Sequence, residues 1–237
     1  MMRSLVAWSL LWAYMVAAGL LSLPGIWLTG RLEFTYAAAR LGLRMLFRLA
    51  GVRIEVQGSL PAYPPEVAPI YMANHQSNLD APILVTHLPG NIVFLGKRKL
   101  FSVPILGLVL KSGGLIPVDR SGDREAARAT VGQAAAAVRA GRPVLVFPEG
   151  TRSPDGMLLE FKKGPFYLVE EARAPVIPVR IEGSGVLLPR GSWRIRPGVV
   201  KLWIGAPLQP EAWAGSAEPR EALAAAVRAR LSPLELR

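Results

Sequence analysis

The sequence contains no cysteine and only two histidines among its 237 residues. The absence of cysteine excludes disulfide bonds, zinc sites with thiolate ligands and catalysis by a thiol nucleophile. Three common catalytic or phosphate-binding patterns are also missing: the G-x-S-x-G elbow, the G-x-x-x-x-G-K-[ST] loop and the H-E-x-x-H zinc pair. We see no cluster of metal-ligand residues, so the sequence predicts neither a metal site nor a resident cofactor.

Acidic residues are scarce, since 17 Asp and Glu face 28 Lys and Arg, which gives a formal net charge of +11. The chain is nevertheless 51% hydrophobic, with a mean hydropathy of +0.31. A chain that is both apolar and basic is typical of contact with an anionic membrane surface or an anionic substrate. Nucleic acid is the other common anionic partner, but no Lys/Arg block or aromatic RNA-binding signature accompanies the charge, so we expect none.

Residues 4–30 contain no charged residue. The segment is long enough to cross the hydrocarbon core of a bilayer, which is about 30 Å thick. A cleaved signal peptide is the alternative, but this run is longer than the apolar part of such signals and lacks an A-x-A stop. Pro24 and Gly25 leave open whether the segment spans the membrane or bends and re-enters.

Residues 31–50 carry Arg40, Arg44 and Arg48 at intervals of four, which on a helix forms a basic stripe beside an apolar face. This pattern indicates either a helix in the headgroup layer or a surface helix packed on a domain core. We predict membrane-anchoring helices over 1–50 and an α/β domain over 51–237. Because more Lys and Arg follow the apolar run than precede it, we place the domain on the cytoplasmic face of the cell membrane.

After residue 51, short Val- and Ile-rich segments bounded by Gly or Pro alternate with helical segments. The strand candidates are 52–58, 68–73, 91–96, 114–119, 142–148, 175–181 and 199–205. The helix candidates are 78–87, 104–111, 122–140, 163–173 and 219–231. This alternation predicts an α/β fold with a largely parallel sheet covered by helices on both faces.

Polar residues follow three of these strands, and in a parallel sheet the strand ends share the edge where ligands bind. After the first of the three comes "NHQSNLD", with His75 in the loop and Asp80 in the first turn of the next helix. A carboxylate so placed fixes the imidazole tautomer and leaves the second ring nitrogen able to take a proton. The alternative is an aspartate that stabilises the helix N-terminus beside an ordinary loop histidine. Asn74 and Ser77 are expected to support the loop.

The other two strand ends supply cations. Arg120 ends "GLIPVDR", with Lys97 upstream, and Arg152 lies in "FPEGTRS" next to Glu149. Arginine presents a rigid fork that matches phosphate oxygens. Solvated surface cations and a turn capped by the glutamate are the simpler interpretations. Taken with the histidine, the set favours an anionic substrate that carries a hydroxyl group.

Four sequence blocks in order carry a resemblance to a known family: "NHQSNLD", "GLIPVDR", "FPEGTRS" and "VIPV", spread over about residues 70–180. The chain resembles the glycerolipid acyltransferases of the HxxxxD type, in particular the bacterial 1-acyl-glycerol-3-phosphate acyltransferases. The resemblance implies transfer of a fatty acyl group from acyl-CoA or acyl-carrier protein to the sn-2 hydroxyl of lysophosphatidic acid, which gives phosphatidic acid.

The resemblance implies that His75 is the general base and that Asp80 orients it. The acceptor hydroxyl would attack the thioester directly, without an acyl-enzyme. Three residues would hold the glycerol phosphate, namely Arg120, Glu149 and Gly150. Lys97 and Arg152 would assist them.

The fourth block, with Ile177 and Pro178, is implied to bind the acyl chain or to shape the site. The second block departs from the family, because Pro117 and Val118 stand where members often carry Phe and Ile. This departure affects the expected substrate preference. Glycerol 3-phosphate or another lysolipid stays open as the acceptor, as do a lipid hydrolase and a non-catalytic protein that binds anionic lipids.

Overall fold

The computed structural model describes residues 2–60, 68–118 and 123–232. In these ranges the strands are β1 (Val52–Gln57), β2 (Ile70–Ala73), β3 (Val93–Lys97), β4 (Ile116–Val118), β5 (Val144–Val146), β6 (Val176–Glu182) and β7 (Gly198–Ile204). The α-helices are α1 (Met2–Thr29), α2 (Glu33–Ala50), α3 (Asp80–His87), α4 (Leu106–Ser112), α5 (Arg124–Arg139), α6 (Gly164–Ala172), α7 (Ser184–Leu187), α8 (Glu211–Ala214) and α9 (Pro219–Leu231). A 3₁₀ helix, Arg98–Ser102, joins β3 to the segment before α4.

The strands form one mixed sheet in the order β1-β7-β6-β2-β5-β3-β4. The pairs among β6, β2, β5, β3 and β4 are parallel, whereas β7 pairs antiparallel with β6 and parallel with β1. The largely parallel α/β sheet predicted from the sequence is therefore confirmed. Its consequence for function is that β2, β3, β4 and β5 all end at the same edge of the sheet.

The core lies on both faces of the sheet, because successive strand residues point to opposite sides. In β2, Tyr71 packs into one hydrophobic cluster, whereas Ile70 and Met72 pack into the other. The first cluster contains residues of α2 and α3, and the second contains residues of α5, α6 and α9. Every residue of β2 and β5 is buried, which explains why these strands appear in the sequence as continuous apolar runs.

The first two helices form a hairpin that packs on the sheet domain. Helix α1 continues through Pro24 to Thr29 without a break. A Cβ on Gly42 of α2 would lie 2.5 Å from the ring of Tyr14 of α1, so glycine permits the close approach of the two helices. At its start α1 is attached to the domain, because the Ser4 hydroxyl donates to the carbonyl of Ile195 at 3.0 Å.

Two of the three predicted stripe arginines of α2 bond to the domain, whereas Arg48 is exposed. The Arg40 guanidinium donates to three carbonyls at and just after the end of α3, those of Val85, Leu88 and Gly90. Arg44 donates more weakly to the carbonyl of Thr86 at 3.4 Å. These carbonyls have no partner within a helix that ends there, so the cations cap α3. The structure thus favours the surface-helix interpretation for this face of α2.

Replacing Arg40 by alanine is expected to destabilise the fold by about 2–3 kcal/mol, since charged hydrogen bonds to partly buried carbonyls are lost. Urea unfolding of the detergent-solubilised protein measures the change. Arg48 lies on the same helix and is exposed, so R48A is the matched control and should shift the free energy of unfolding by no more than about 0.5 kcal/mol. Equal losses for R40A and R48A would contradict the capping role.

Candidate active site

His75 lies in the loop that follows β2, at the edge where the parallel strands end. Its Nδ1 is 2.8 Å from Oδ2 of Asp80, the first residue of α3. The same Oδ2 accepts backbone N–H groups from Gln76 at 2.7 Å and Ser77 at 2.8 Å. A carboxylate oxygen that already receives two N–H groups acts as an acceptor, so Nδ1 is the donor in this pair and Nε2 is the ring nitrogen that Asp80 does not engage. The aspartate five positions after His75 therefore lies within hydrogen-bond distance of the imidazole.

One face of the imidazole ring is covered by a residue that the sequence does not identify as part of the site. Phe147, the residue after β5, stacks on His75 with ring centroids 4.0 Å apart and an angle of 15° between the planes. The register that pairs Met72 with Val146 brings the residue after β5 alongside the end of β2. In the sequence Phe147 is only the first residue of FPEGTRS, and the strand order is the signal that identifies it as a site residue. The His75 side chain remains 17% exposed.

The backbone of His75 is held by the loop after β5. Its N–H donates to Oε1 of Glu149 at 2.8 Å, and its carbonyl accepts the N–H of Ser153 at 2.7 Å. Both peptide groups that flank the histidine are thereby fixed by one segment. The first and third sequence blocks, far apart in the chain, form a single structural unit.

Glu149 itself is deeply buried, with 1% of its surface exposed. Its second oxygen, Oε2, accepts the N–H of Leu159 at 2.9 Å. Burial raises the pKa of Glu149, and the hydrogen bonds from Leu159 and His75 partly offset that effect. The structure therefore places this carboxylate beneath the histidine loop, with each oxygen bound to a backbone amide.

Asn74 and Ser77 support the same loop from the opposite side. The Asn74 amide donates to the carbonyl of Ile181 at 2.8 Å and accepts the N–H of Ile181 at 2.7 Å. These two side-chain bonds hold the residue after β2 against β6. The Ser77 hydroxyl donates to the carbonyl of Leu188 at 2.8 Å. Both residues thus have the supporting contacts expected from the sequence.

Of the predicted cations, Lys97 is the last residue of β3 and is exposed, and Arg152 is half-buried in the loop after Gly150. Both therefore lie on segments that leave the edge that carries His75. Gly150 adopts φ +67°, a left-handed conformation that favours glycine and allows the tight turn there. Arg120 lies outside the described residues.

Ile177 and Pro178 are buried within β6, where they pair with Tyr71 and Met72 of β2. Ile177 is fully buried in the first hydrophobic cluster. These positions lie beneath the site, where they determine how β2 and its loop are held. The other histidine, His87, lies at the end of α3, and its Nδ1 is 2.7 Å from the Thr86 hydroxyl.

The arrangement has the features of a general base. A buried carboxylate orients the imidazole, an aromatic ring and two backbone hydrogen bonds hold it, and one nitrogen is left to accept a proton. Cationic side chains lie on neighbouring strand ends and suit an anionic substrate. The geometry can therefore remove a proton from a hydroxyl group of an anionic molecule.

The chain is similar to known acyltransferases. The sequence model of the Acyltransferase family matches residues 53–182. A 1-acyl-sn-glycerol-3-phosphate acyltransferase of Chlamydomonas reinhardtii is 37% identical over 148 residues, which are 62% of this chain and 44% of the relative. The 1-acyl-sn-glycerol-3-phosphate acyltransferase alpha of Homo sapiens is 34% identical over 159 residues, 67% of this chain and 56% of the relative. The chain spans about half the length of the curated relatives it matches.

A solved structure resembles the whole fold. The crystal structure of the 1-acyl-sn-glycerophosphate (LPA) acyltransferase PlsC from Thermotoga maritima aligns with a TM-score of 0.80 at 26% identity, covering 100% of this chain and 97% of that one. The match therefore includes the N-terminal helices as well as the sheet. Together with the family match over more than half of the sequence, it shows that this chain belongs to the acyltransferase family.

Proposed function

We propose that the protein is a membrane-bound O-acyltransferase that transfers a fatty acyl group from acyl-CoA or acyl-carrier protein to the sn-2 hydroxyl of lysophosphatidic acid. The product is phosphatidic acid. The observation that supports this most directly is the pairing of His75 with Asp80 at 2.8 Å, at a cationic sheet edge of a chain similar to 1-acyl-sn-glycerol-3-phosphate acyltransferases.

In the proposed reaction, Nε2 of His75 takes the proton of the acceptor hydroxyl while the oxygen attacks the thioester carbonyl carbon. The tetrahedral intermediate then collapses, the carbon–sulfur bond breaks, and the imidazolium returns its proton to the leaving thiolate. Asp80 stabilises the imidazolium between these two steps. The acyl group passes directly from sulfur to oxygen, so the chain needs no nucleophile of its own and no cofactor.

The headgroup phosphate is assigned to the cations around the histidine. Arg120, Lys97 and Arg152 supply positive charge, and the turn at Gly150 lets the backbone approach the ligand. Ile177 and Pro178 act by shaping the site, since both are buried in β6. In this arrangement the phosphate anchors the lipid so that its free hydroxyl reaches the base.

The N-terminal hairpin supports a membrane-bound protein. Helix α1 is long and apolar enough to cross a bilayer, and only 17% of its most apolar window is buried. Large apolar side chains are exposed along both helices, including Leu20, Leu21 and Leu28 of α1 and Leu41 and Met45 of α2. An enzyme at the interface takes its acceptor without moving the acyl chain into water, which would cost about 0.8 kcal/mol per CH₂ group.

The contacts of α1 favour a hairpin that lies in one leaflet over a spanning helix. Ser4 is bonded to the domain, and a Cβ on Gly19 would lie 3.2 Å from Ile105, just before α4. These two positions are about 22 Å apart along a helix, so one side of α1 follows the domain from Ser4 to Gly19. Helix α2 then returns directly to β1. We therefore propose that the hairpin and the domain stay on the cytoplasmic face.

Replacing His75 by alanine should lower the rate of phosphatidic acid formation by about 10²–10⁴-fold, because the general base is removed. The assay measures phosphatidic acid formed from lysophosphatidic acid and acyl-CoA by purified enzyme. H87A changes the only other histidine and should keep near wild-type turnover. Parallel reactions with glycerol 3-phosphate and other lysolipids identify the acceptor, and substantial turnover by folded H75A would refute the mechanism.

The absence of native cysteine allows a direct test of topology. In R3C the cysteine lies at the exposed start of α1, and in E211C it lies on the domain surface. A membrane-impermeant maleimide should label both variants in inverted vesicles, and neither in right-side-out vesicles. Labelling of R3C and E211C from opposite sides would show that α1 spans the bilayer.

A further inference from the structure

We propose that Glu149 is a positioning residue that holds the catalytic histidine in place, and that it does not bind the substrate phosphate. This inference rests on the proposed acyl transfer with His75 as the base. The third sequence block, FPEGTRS, then holds His75 in position in addition to supplying positive charge.

The first observation is the set of partners of the carboxylate. Oε1 accepts the N–H of His75 at 2.8 Å, and Oε2 accepts the N–H of Leu159 at 2.9 Å. The side chain is 1% exposed, so it offers no surface to a substrate. A buried carboxylate would also repel a phosphate group by like charge. Both facts favour a role inside the protein.

The second observation is that the loop that carries Glu149 contacts His75 at several points. Phe147 stacks on the imidazole at 4.0 Å, and the Ser153 N–H donates to the His75 carbonyl at 2.7 Å. Glu149 in turn accepts the N–H of His75. The segment 147–153 therefore contacts the imidazole ring, the backbone N–H and the backbone carbonyl of the same histidine. Such fixation keeps a catalytic group within the narrow range of positions that reaction requires.

The third observation is that these contacts with His75 are connected to a helix of the second hydrophobic cluster. The carbonyl of Leu159 accepts two N–H groups of Arg228 in α9, at 2.9 Å and 3.4 Å. The Arg228 guanidinium also lies over the ring of Phe161, 4.9 Å from its centroid. The backbone N–H of Leu159 is therefore bound by Glu149, and its backbone carbonyl is bound by Arg228. The glutamate connects the histidine loop to a well-packed helix.

The decisive variant is E149Q, because glutamine keeps the shape but supplies only one acceptor oxygen, and its amide group faces the second N–H as a donor. We expect kcat to fall about 10–100-fold from misplacement of the base, while KM for lysophosphatidic acid changes by less than about threefold. E160Q alters a neighbouring exposed glutamate and should leave both constants unchanged. A tenfold or greater rise in KM with unchanged kcat would instead assign Glu149 to the phosphate.

A second variant keeps the test valid where E149Q fails to fold. R228A removes the outer support of Leu159 and should lower kcat in the same direction with KM unchanged. R220A is its control on the same helix, where the arginine lies over Tyr167 and is 41% exposed. If E149Q does not fold and folded R228A has the same kcat as the wild-type enzyme, the proposal is overturned.

A spectroscopic measurement separates this inference from the reaction itself. With two histidines in the chain, the imidazole resonances of ¹⁵N-histidine-labelled protein are assigned by comparison with H87A. In the absence of substrate, E149Q and R228A should shift or broaden the His75 resonances, and E160Q and R220A should not. Unchanged His75 resonances in E149Q would refute the positioning role. A wild-type enzyme with no acyl transfer would refute the proposed function and leave this result standing.

Discussion

The site depends on the parallel pairing of β2 between β5 and β6. This pairing brings the loop after β5 within hydrogen-bond distance of His75, and β6 within hydrogen-bond distance of the neighbouring Asn74. From β6, Ile181 bonds the Asn74 amide, and from the loop after β5, Glu149 and Ser153 bond the peptide groups of His75. A shift of either pairing by one residue would exchange the faces of the strand and separate these partners. Catalytic geometry here is a consequence of sheet register.

Much of this arrangement could be predicted from the sequence. The strands are short apolar runs with sharp boundaries, and their alternation with helices determines a parallel sheet. The pairing of His75 with Asp80 is local, because His75 lies in the short loop after β2 and Asp80 is the first residue of α3. Its geometry follows from the loop and the first helical turn alone. The long helix α5 was likewise predictable from its acidic start, where Asp123 caps the N-terminus by accepting the Glu125 N–H.

The long-range contacts could not be predicted in the same way. Glu149 follows a strand in a motif beside arginines, which in sequence suggests a phosphate site, but its partners are backbone amides whose positions depend on strand order. Arg40 looks like a headgroup ligand by its spacing on α2. In the structure it binds carbonyls after α3, because the helix packs across the end of that element. The spacing of residues along one helix determines which side chains share a face. The tertiary fold determines whether that face contacts the membrane or another part of the protein.

The central claim is that the acyl group passes directly from the thioester to the lipid hydroxyl, without an acyl-enzyme and with His75 as the base. The most direct test mixes the wild-type enzyme with a radiolabelled acyl thioester and follows free thiol and labelled protein before and after lysophosphatidic acid is added. The account predicts no acyl-enzyme and no thiol release until the acceptor is present, followed by phosphatidic acid and thiol in equal amounts. A burst of thiol with labelled protein, or release of free fatty acid without an acceptor, would contradict it.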